Sequence, residues 1–222
     1  MIWRMIVMEE EMQYLNRILI LAPHTDDGEL GCGGAIAKFI EQGKNVYYVA
    51  FSICEESVPD GFPDNILESE VKEATKILGI KSENLIIKKY PVRLFSNHRQ
   101  EILDDLIKLK EQIKPDLVFM PSSFDVHQDH NVIHQEGLRA FRNTSILGYE
   151  FMWNNFSFNS TSFIIIDDKH LNKKIKAIQK YESQKHRFYN SDESLKGLAL
   201  YRGLQIGTKF AESFEVIRWV IV

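Results

Sequence analysis

The chain has 222 residues, of which 44% are apolar and 26% are charged, and its net charge is −4 with histidine counted as neutral. This composition predicts one globular domain of the soluble type and excludes a disordered or fibrous chain. A mildly acidic chain without blocks of Lys or Arg is not expected to bind nucleic acid. Two cysteines, Cys32 and Cys54, cannot form a disulfide framework, so we expect a reducing compartment, most simply the cytoplasm.

Residues 1–16 are interpreted as an N-terminal extension and residues 17–222 as a single domain. The extension has a short apolar patch that is interrupted by three glutamates at positions 9–11, which is unlike a signal peptide. No run of 18 apolar residues occurs, so no membrane span is predicted.

The first elements are a strand, a loop, a helix and a strand. Residues 17–22 (RILILA) form an apolar run typical of a strand that is buried on both faces. A polar, glycine-rich turn is predicted for residues 23–34, followed by a helix over 35–42 and a strand over 46–51. This βαβ order implies parallel strand pairing.

The alternation of helices and strands continues along the chain. Helices are predicted over 68–78, 101–113, 131–142 and 171–185, and strands over 85–90, 116–121 and 163–167. The pattern predicts an α/β fold with a doubly wound, mainly parallel sheet and helices on both faces, similar to a Rossmann fold.

Two polar clusters follow predicted strands. His-Thr-Asp-Asp occupies residues 24–27, and His-Gln-Asp-His occupies residues 127–130. In open α/β sheets, the ligand crevice lies beyond the carboxyl ends of the strands, so both clusters are expected near it. The alternative for each cluster is a solvated turn with a helix cap, because Asp and Thr favour helix starts.

These residue types favour a catalytic zinc site. Such a site uses three His, Asp or Glu ligands and keeps one position for water. His24 and Asp27 can converge from one turn, and His130 can supply the third ligand from the second loop. Adjacent carboxylates usually point apart, so Asp26 would remain free to act as a general base.

The motif APHTDDGELGCGG, followed about a hundred residues later by HQDH, resembles the LmbE-like or PIG-L-like zinc-dependent de-N-acetylases. The segments EVKEATKILGI, DLVFMPSSFDVHQDH, ILGYE, YESQKHR and FAESFEVIRW are similar to the bacterial branch of this family. The resemblance extends from about Arg17 to Trp219. It implies the LmbE-like form of the doubly wound fold and a zinc-dependent hydrolysis of an acetamido group.

The resemblance also assigns roles by position. It makes His24, Asp27 and His130 the zinc ligands and Asp26 the general base. His127 becomes the group that stabilises the oxyanion and protonates the leaving amine, and Asp129 becomes its hydrogen-bonding partner. A cationic imidazole at His127 would add electrostatic stabilisation to the developing oxyanion.

The implied substrate is a small amino-sugar compound, commonly one with an N-acetylglucosamine unit, from which acetate and a free amine are released. The substrate-binding residues remain unassigned. The family's substrate-contacting arginine lies three residues before a helix glutamate, here Glu70, and this position is Leu67. Arg93 is a candidate replacement. Gly28 stands where the family often has Glu, although Glu29 follows directly.

Two other functions remain open. The first is a zinc hydrolase that cleaves another amide bond, and the second is a catalytically idle relative that binds a sugar or a nucleotide. The aromatic residues Trp153, Phe156 and Phe158 are compatible with a sugar-stacking wall or with an ordinary aromatic core. A homo-oligomer is compatible with the sequence, which does not specify the number of subunits.

Overall fold

The apolar runs of the sequence pair into one seven-stranded sheet in a computed structural model that describes residues 15–221. The strands are β1 (Arg17–Ala22), β2 (Asn45–Ala50), β3 (Leu85–Ile87), β4 (Leu117–Pro121), β5 (Ser145–Tyr149), β6 (Ser162–Ile166) and β7 (Phe210–Arg218). Their order is β3-β2-β1-β4-β5-β7-β6. Strands β1 to β5 are parallel, whereas β7 is antiparallel to both β5 and β6. The predicted doubly wound, mainly parallel sheet is confirmed.

Six α-helices connect or follow these strands within the described residues. They are α1 (Asp27–Glu41), α2 (Ile66–Leu78), α3 (Arg99–Ile113), α4 (Gln128–Ala140), α5 (Asp168–Ile178) and α6 (Asp192–Gln205). None of the helices in this part of the chain is long and apolar enough to cross a bilayer. Residues 1–14 of the predicted N-terminal extension lie outside the described residues.

The core has two layers because side chains alternate across a strand. In β1, Ile18 and Ile20 face the apolar layer that contains α1, α2 and α5, whereas Leu19 and Leu21 face the layer that contains α3 and α4. All four side chains are fully buried. The helices therefore cover both faces of the sheet, as the continuous apolar runs predicted.

The structure corrects several predicted elements. The turn predicted for residues 23–34 is shorter, because α1 begins at Asp27, where Asp27 and Glu29 lie in a first turn that favours acidic groups. The helix predicted for 171–185 ends at Ile178. Strands β5 and β7 and helix α6 were not predicted, because β5 is short and contains a glycine and β7 carries charged residues.

Helix α1 is kinked at Cys32, whose φ of −148° and ψ of 25° are not helical. The second segment therefore has its own free amide groups. The carboxylate of Glu212, on β7, accepts hydrogen bonds from the amides of Gly34 at 3.0 Å and Ala35 at 2.7 Å. It also accepts a hydrogen bond of 2.6 Å from Lys174 Nζ. A residue distant in sequence thus acts as the cap of the second helical segment.

We expect Glu212→Ala to lower the free energy of unfolding by about 3–5 kcal/mol, because it removes this cap and leaves the buried Lys174 ammonium without a partner. Urea denaturation measures the change. The matched control is Glu182→Ala, which removes an exposed carboxylate paired with Lys185 and should cost less than about 1 kcal/mol. Equal stabilities of the two variants would contradict the capping role.

Candidate active site

The pairing of β1 with β4 brings the two predicted clusters together at one edge of the sheet. These strands are parallel neighbours, so their carboxyl ends lie side by side. The first cluster follows β1, where Asp27 is the first residue of α1. The second follows β4, where His127 is the N-cap of α4. The six predicted site residues thus lie in two loops and in the first turns of the helices that follow them, at one edge of the sheet.

Three atoms from His24, Asp27 and His130 face one another. Asp27 Oδ2 lies 3.2 Å from His24 Nδ1 and 3.1 Å from His130 Nε2. The two histidine nitrogens are 3.2 Å apart. In a tetrahedral zinc site with bonds near 2.0–2.1 Å, ligand atoms are about 3.3 Å apart. The three predicted ligands therefore have the spacing that a tetrahedral zinc ion requires.

Carboxylates on the outer side of the two rings set their tautomers. Asp129 Oδ2 accepts a hydrogen bond of 3.0 Å from His24 Nε2, and Asp125 Oδ2 accepts one of 2.7 Å from His130 Nδ1. The nitrogens that face Asp27 are therefore left with a free lone pair when each ring is neutral. Such outer partners are typical of metal-bound histidines. Asp125 was not predicted, and its position five residues before His130 is too common a pattern to reveal it.

The charges of this cluster are strongly coupled. Burial opposes ionisation of Asp27, but His130 and His24 outweigh it and hold the pKa of Asp27 well below its usual range. Burial likewise lowers the pKa of His130, but Asp27 and Asp125 outweigh it and raise the pKa to about 10. Protons are thus attracted into the space between the three atoms. A divalent cation there would displace these protons, which is how metal sites of this type are loaded.

Asp26 lines the cavity together with the three candidate ligands, and its carboxylate forms no hydrogen bond with them within the described residues. Burial and the charge of Asp27 raise its pKa to about 6, while His24 and Arg187 act in the opposite direction. A carboxylate in such a place, beside the metal ligands but not one of them, can accept a proton from a water molecule.

His127 lies across the cavity, and its ring contacts those of His24 and His130 at centroid distances of 4.8 and 4.6 Å. Its Nδ1 accepts a hydrogen bond of 3.2 Å from the amide of Asp129, so the neutral ring carries its proton on Nε2. Burial and the neighbouring histidines lower its pKa to about 4. A neutral imidazole at this position would donate one hydrogen bond from Nε2, and the cationic form expected from the sequence stays a prediction.

The Asp129 carboxylate accepts hydrogen bonds from His24 and from the backbone amides of Arg93 at 2.6 Å and Phe95 at 3.4 Å, and no hydrogen bond joins this carboxylate to the His127 ring within the described residues. Only the backbone amide of Asp129 reaches His127. Asp129 therefore orients both rings, one through its side chain and the other through its main chain.

A cavity of about 210 Å³ opens above this cluster. Leu67 lies in its wall and is buried, so the position of the family's arginine faces the cavity but offers no polar group. Arg93 also lines the cavity, and its guanidinium donates to Ser57 Oγ at 3.0 Å. Trp153 and Tyr189 also line the cavity, with ring centroids 3.7 Å apart and planes at 13°. Phe156 is 89% exposed and lies outside the cavity wall.

The fold and the clustered ligands define an α/β protein with a candidate metal centre at the carboxyl edge of its sheet. Comparison with known proteins identifies the family. The model of the family PIG-L, described as GlcNAc-PI de-N-acetylase, matches residues 19–141. The uncharacterized deacetylase YaiS of Escherichia coli K12 is 32% identical over 173 residues, which are 75% of this chain and 90% of that protein. The chain belongs to the PIG-L, or LmbE-like, family, and its homologues are deacetylases.

Solved structures share the fold. The N,N'-diacetylchitobiose deacetylase of Pyrococcus horikoshii, solved with an inhibitor, superposes with a TM-score of 0.77 at 22% identity over 93% of this chain and 85% of that chain. GalB, the 4-carboxy-2-hydroxymuconate hydratase of Pseudomonas putida KT2440, has a TM-score of 0.75 at 18% identity over 94% and 98% of the two chains. Since a hydratase and a deacetylase share this architecture, the fold alone does not specify the reaction.

Tyr48 explains why Gly28 replaces the glutamate that is common at this position. A Cβ atom on Gly28 would lie 2.3 Å from Tyr48 Cε2, so the buried ring leaves no room for a side chain. The Tyr48 hydroxyl accepts a hydrogen bond of 3.0 Å from the Gly28 amide and contacts the Glu29 carboxyl group. Tyr48 thereby supports the turn that carries the first two candidate ligands.

We expect Gly28→Ala to lower the free energy of unfolding by about 1–3 kcal/mol, because the new methyl group must displace the Tyr48 ring. Thermal or urea denaturation measures this change. The control is Gly197→Ala in α6, where a Cβ would meet no atom within 4 Å and where alanine should be neutral or stabilise by about 1 kcal/mol. A Gly28 variant as stable as the Gly197 variant would refute this packing argument.

Proposed function

We propose that this protein is a zinc-dependent N-deacetylase that removes the acetyl group from an amino sugar and releases acetate and a free amine. The observation that carries the proposal is the triangle of His24 Nδ1, Asp27 Oδ2 and His130 Nε2, with sides of 3.1–3.2 Å. Asp26 and His127 lie on the cavity side of this triangle, where a substrate amide can enter. Family membership supports the same reaction.

The donor set fits zinc. Two imidazole nitrogens and one carboxylate oxygen are usual catalytic ligands of this ion, and they leave a fourth position open to the cavity. Asp129 and Asp125 hold the two rings so that the unprotonated nitrogens face inward. Zinc bound there supplies Lewis-acid polarisation of the amide carbonyl and activates water as a nucleophile near neutral pH.

The remaining steps use the side chains of this protein. The Asp26 carboxylate accepts a proton from the attacking water. His127 donates a hydrogen bond from Nε2 to the amide oxygen as negative charge develops on it, and this contact is stronger in the transition state than in the ground state. The proton held by Asp26, or one from a cationic His127 as the family resemblance implies, is then available to the leaving nitrogen.

The proposed substrate class rests on family membership and on the aromatic side chains in the wall of the cavity. The matching family model describes a GlcNAc-PI de-N-acetylase, and a structural neighbour is a diacetylchitobiose deacetylase, so N-acetylglucosamine units are the first compounds to test. The stacked pair of Trp153 and Tyr189 presents an aromatic surface of the kind that packs against sugar rings.

We further propose that residues 17–222 act as one domain and that the protein functions in the cytoplasm. The second proposal rests on Cys32 and Cys54, which are both buried and unpaired. Cytoplasmic proteins keep their thiols reduced, so such cysteines are stable there.

We expect about one zinc ion per chain in protein purified without a chelating tag, measured by inductively coupled plasma mass spectrometry. His24→Ala should lose the metal, and Asp125→Asn should weaken zinc affinity about tenfold to a hundredfold, because the His130 ring loses its orienting partner. His98→Ala is the control, since this histidine pairs with Glu101 outside the cavity. Wild-type protein that stays free of metal when zinc is offered would overturn the proposal.

We expect Asp26→Asn to lower kcat for acetate release about a hundredfold to ten-thousandfold while zinc content stays unchanged. The measurement is enzymatic quantification of acetate from acetylated amino sugars, with the exposed Asp64→Asn as control. Unchanged turnover in Asp26→Asn would show that the base is misassigned. Cleavage of other amides without acetate release would favour the first alternative function, and ligand binding without any turnover would favour an idle binding protein.

A further inference from the structure

The loop after α5 places Arg187 in the wall of the cavity, and nothing in the proposed chemistry uses this residue. The loop contains two short 3-10 turns, Glu182–Gln184 and Phe188–Asn190, and Arg187 lies between them. Its side chain is half-buried and shares the cavity with Asp26 and the three candidate ligands.

A chain of hydrogen bonds holds this arginine in one direction. The buried Glu70 carboxylate accepts hydrogen bonds from the Ser183 amide at 2.9 Å and the Ser183 hydroxyl at 2.6 Å. The Ser183 hydroxyl in turn accepts a hydrogen bond of 3.1 Å from Gln184 Nε2. This bond orients the Gln184 amide so that its Oε1 accepts a hydrogen bond of 2.5 Å from Arg187 Nε. Arg187 Nη1 donates to the Tyr189 hydroxyl at 2.7 Å. The guanidinium is thus positioned in advance, while Nη2 has no hydrogen-bond partner among the described residues.

No carboxylate in residues 15–221 forms an ion pair with Arg187 or with Arg93, the other cation of the cavity wall. Both guanidinium groups contact only neutral oxygen atoms of Ser57, Gln184 and Tyr189. If zinc is bound as proposed, its two charges offset Asp26 and Asp27. Asp125 and Asp129 lie behind the ligand rings and do not line the cavity, so the charges left facing the cavity are those of the two arginines.

We propose that Arg187, assisted by Arg93, binds an anionic group of the substrate, a phosphate or a carboxylate attached to the acetylated amino sugar. This inference rests on the proposed deacetylase function and narrows its substrate class. A guanidinium with a fixed orientation binds such oxyanions through paired N–H groups. Leu67, at the position of the family's arginine, offers no polar group to the cavity, whereas Arg187 lines the same cavity and does.

The test compares three substrates: N-acetylglucosamine, N-acetylglucosamine 1-phosphate and an N-acetylglucosaminide whose aglycone carries a carboxylate. We expect the wild-type enzyme to prefer at least one anionic substrate over the neutral sugar by tenfold or more in kcat/KM. Arg187→Gln should raise KM for that substrate about tenfold to a hundredfold. Whichever anion is favoured identifies phosphate or carboxylate as the bound group.

Two variants separate recognition from general damage. Lys185→Gln removes the same charge two residues away, from an exposed side chain outside this cavity wall. It should leave kcat/KM unchanged for all three substrates. Arg187→Lys keeps the charge but loses the paired N–H donors of the guanidinium group, so its KM should lie between those of the wild type and Arg187→Gln. The readout is the ratio of kcat/KM for the anionic substrate to kcat/KM for neutral N-acetylglucosamine, because Arg187 also acts on the pKa of Asp26 and its replacement can change turnover of both substrates. This ratio should fall about tenfold or more in Arg187→Gln and stay unchanged in Lys185→Gln.

An equal loss on neutral and anionic substrates in Arg187→Gln, or a wild-type enzyme without preference for an anion, would overturn the inference and leave the deacetylase proposal intact. If no substrate releases acetate, the deacetylase proposal fails instead. Calorimetry with glucosamine 1-phosphate and glucosamine then decides the inference separately. The same measurement includes the glucosaminide whose aglycone carries a carboxylate. Tighter binding of either anionic compound than of glucosamine, lost in Arg187→Gln, supports the inference, and equal binding of all three compounds refutes it.

Discussion

The parallel pairing of β1 with β4 is the constraint on which the rest of the site depends. These strands are distant in sequence but adjacent in the sheet, so the loops that follow them must leave the same edge. One loop carries His24 and Asp27, and the other carries His130. The Asp27 carboxylate then contacts both rings within 3.2 Å, which links the two loops at one point. Neither loop could form the ligand triangle alone.

Two carboxylates behind the candidate ligands determine the orientation of the two histidine rings. Asp129 holds the His24 ring and also accepts the amide of Arg93, whose φ of 68° is left-handed and costly for a residue other than glycine. The hydrogen bond to Asp129 offsets this strain and draws the 93–95 segment against the site. Asp125 acts similarly on His130 and also accepts the amide of His127 at 2.9 Å. Ring orientation, backbone strain and cavity shape are thus coupled through two buried acids.

Local patterns predicted the parts of the molecule that are local in origin. The apolar run of β1 and the polar clusters at the strand ends could both be derived from neighbouring residues. The start of α1 at Asp27 could not, because its glycines suggested a turn and its cap comes from Glu212. Asp125 and Arg187 were missed for the same reason, since their importance depends on partners that only the folded chain brings near. The charge state of His127 likewise depends on burial and on two histidines from the same cluster.

The Glu212 cap has a consequence for where the functional unit ends. All candidate ligands precede residue 141, and the segment that defines the family ends there. Yet α1, which begins with the ligand Asp27, is completed by a carboxylate from the last strand of the sheet. During synthesis, the ligands therefore leave the ribosome some 80 residues before the group that secures their helix. A fragment cut at residue 141 would contain all three candidate ligands and still lack Glu212, so the structural unit that supports the centre is larger than the segment that the family model matches.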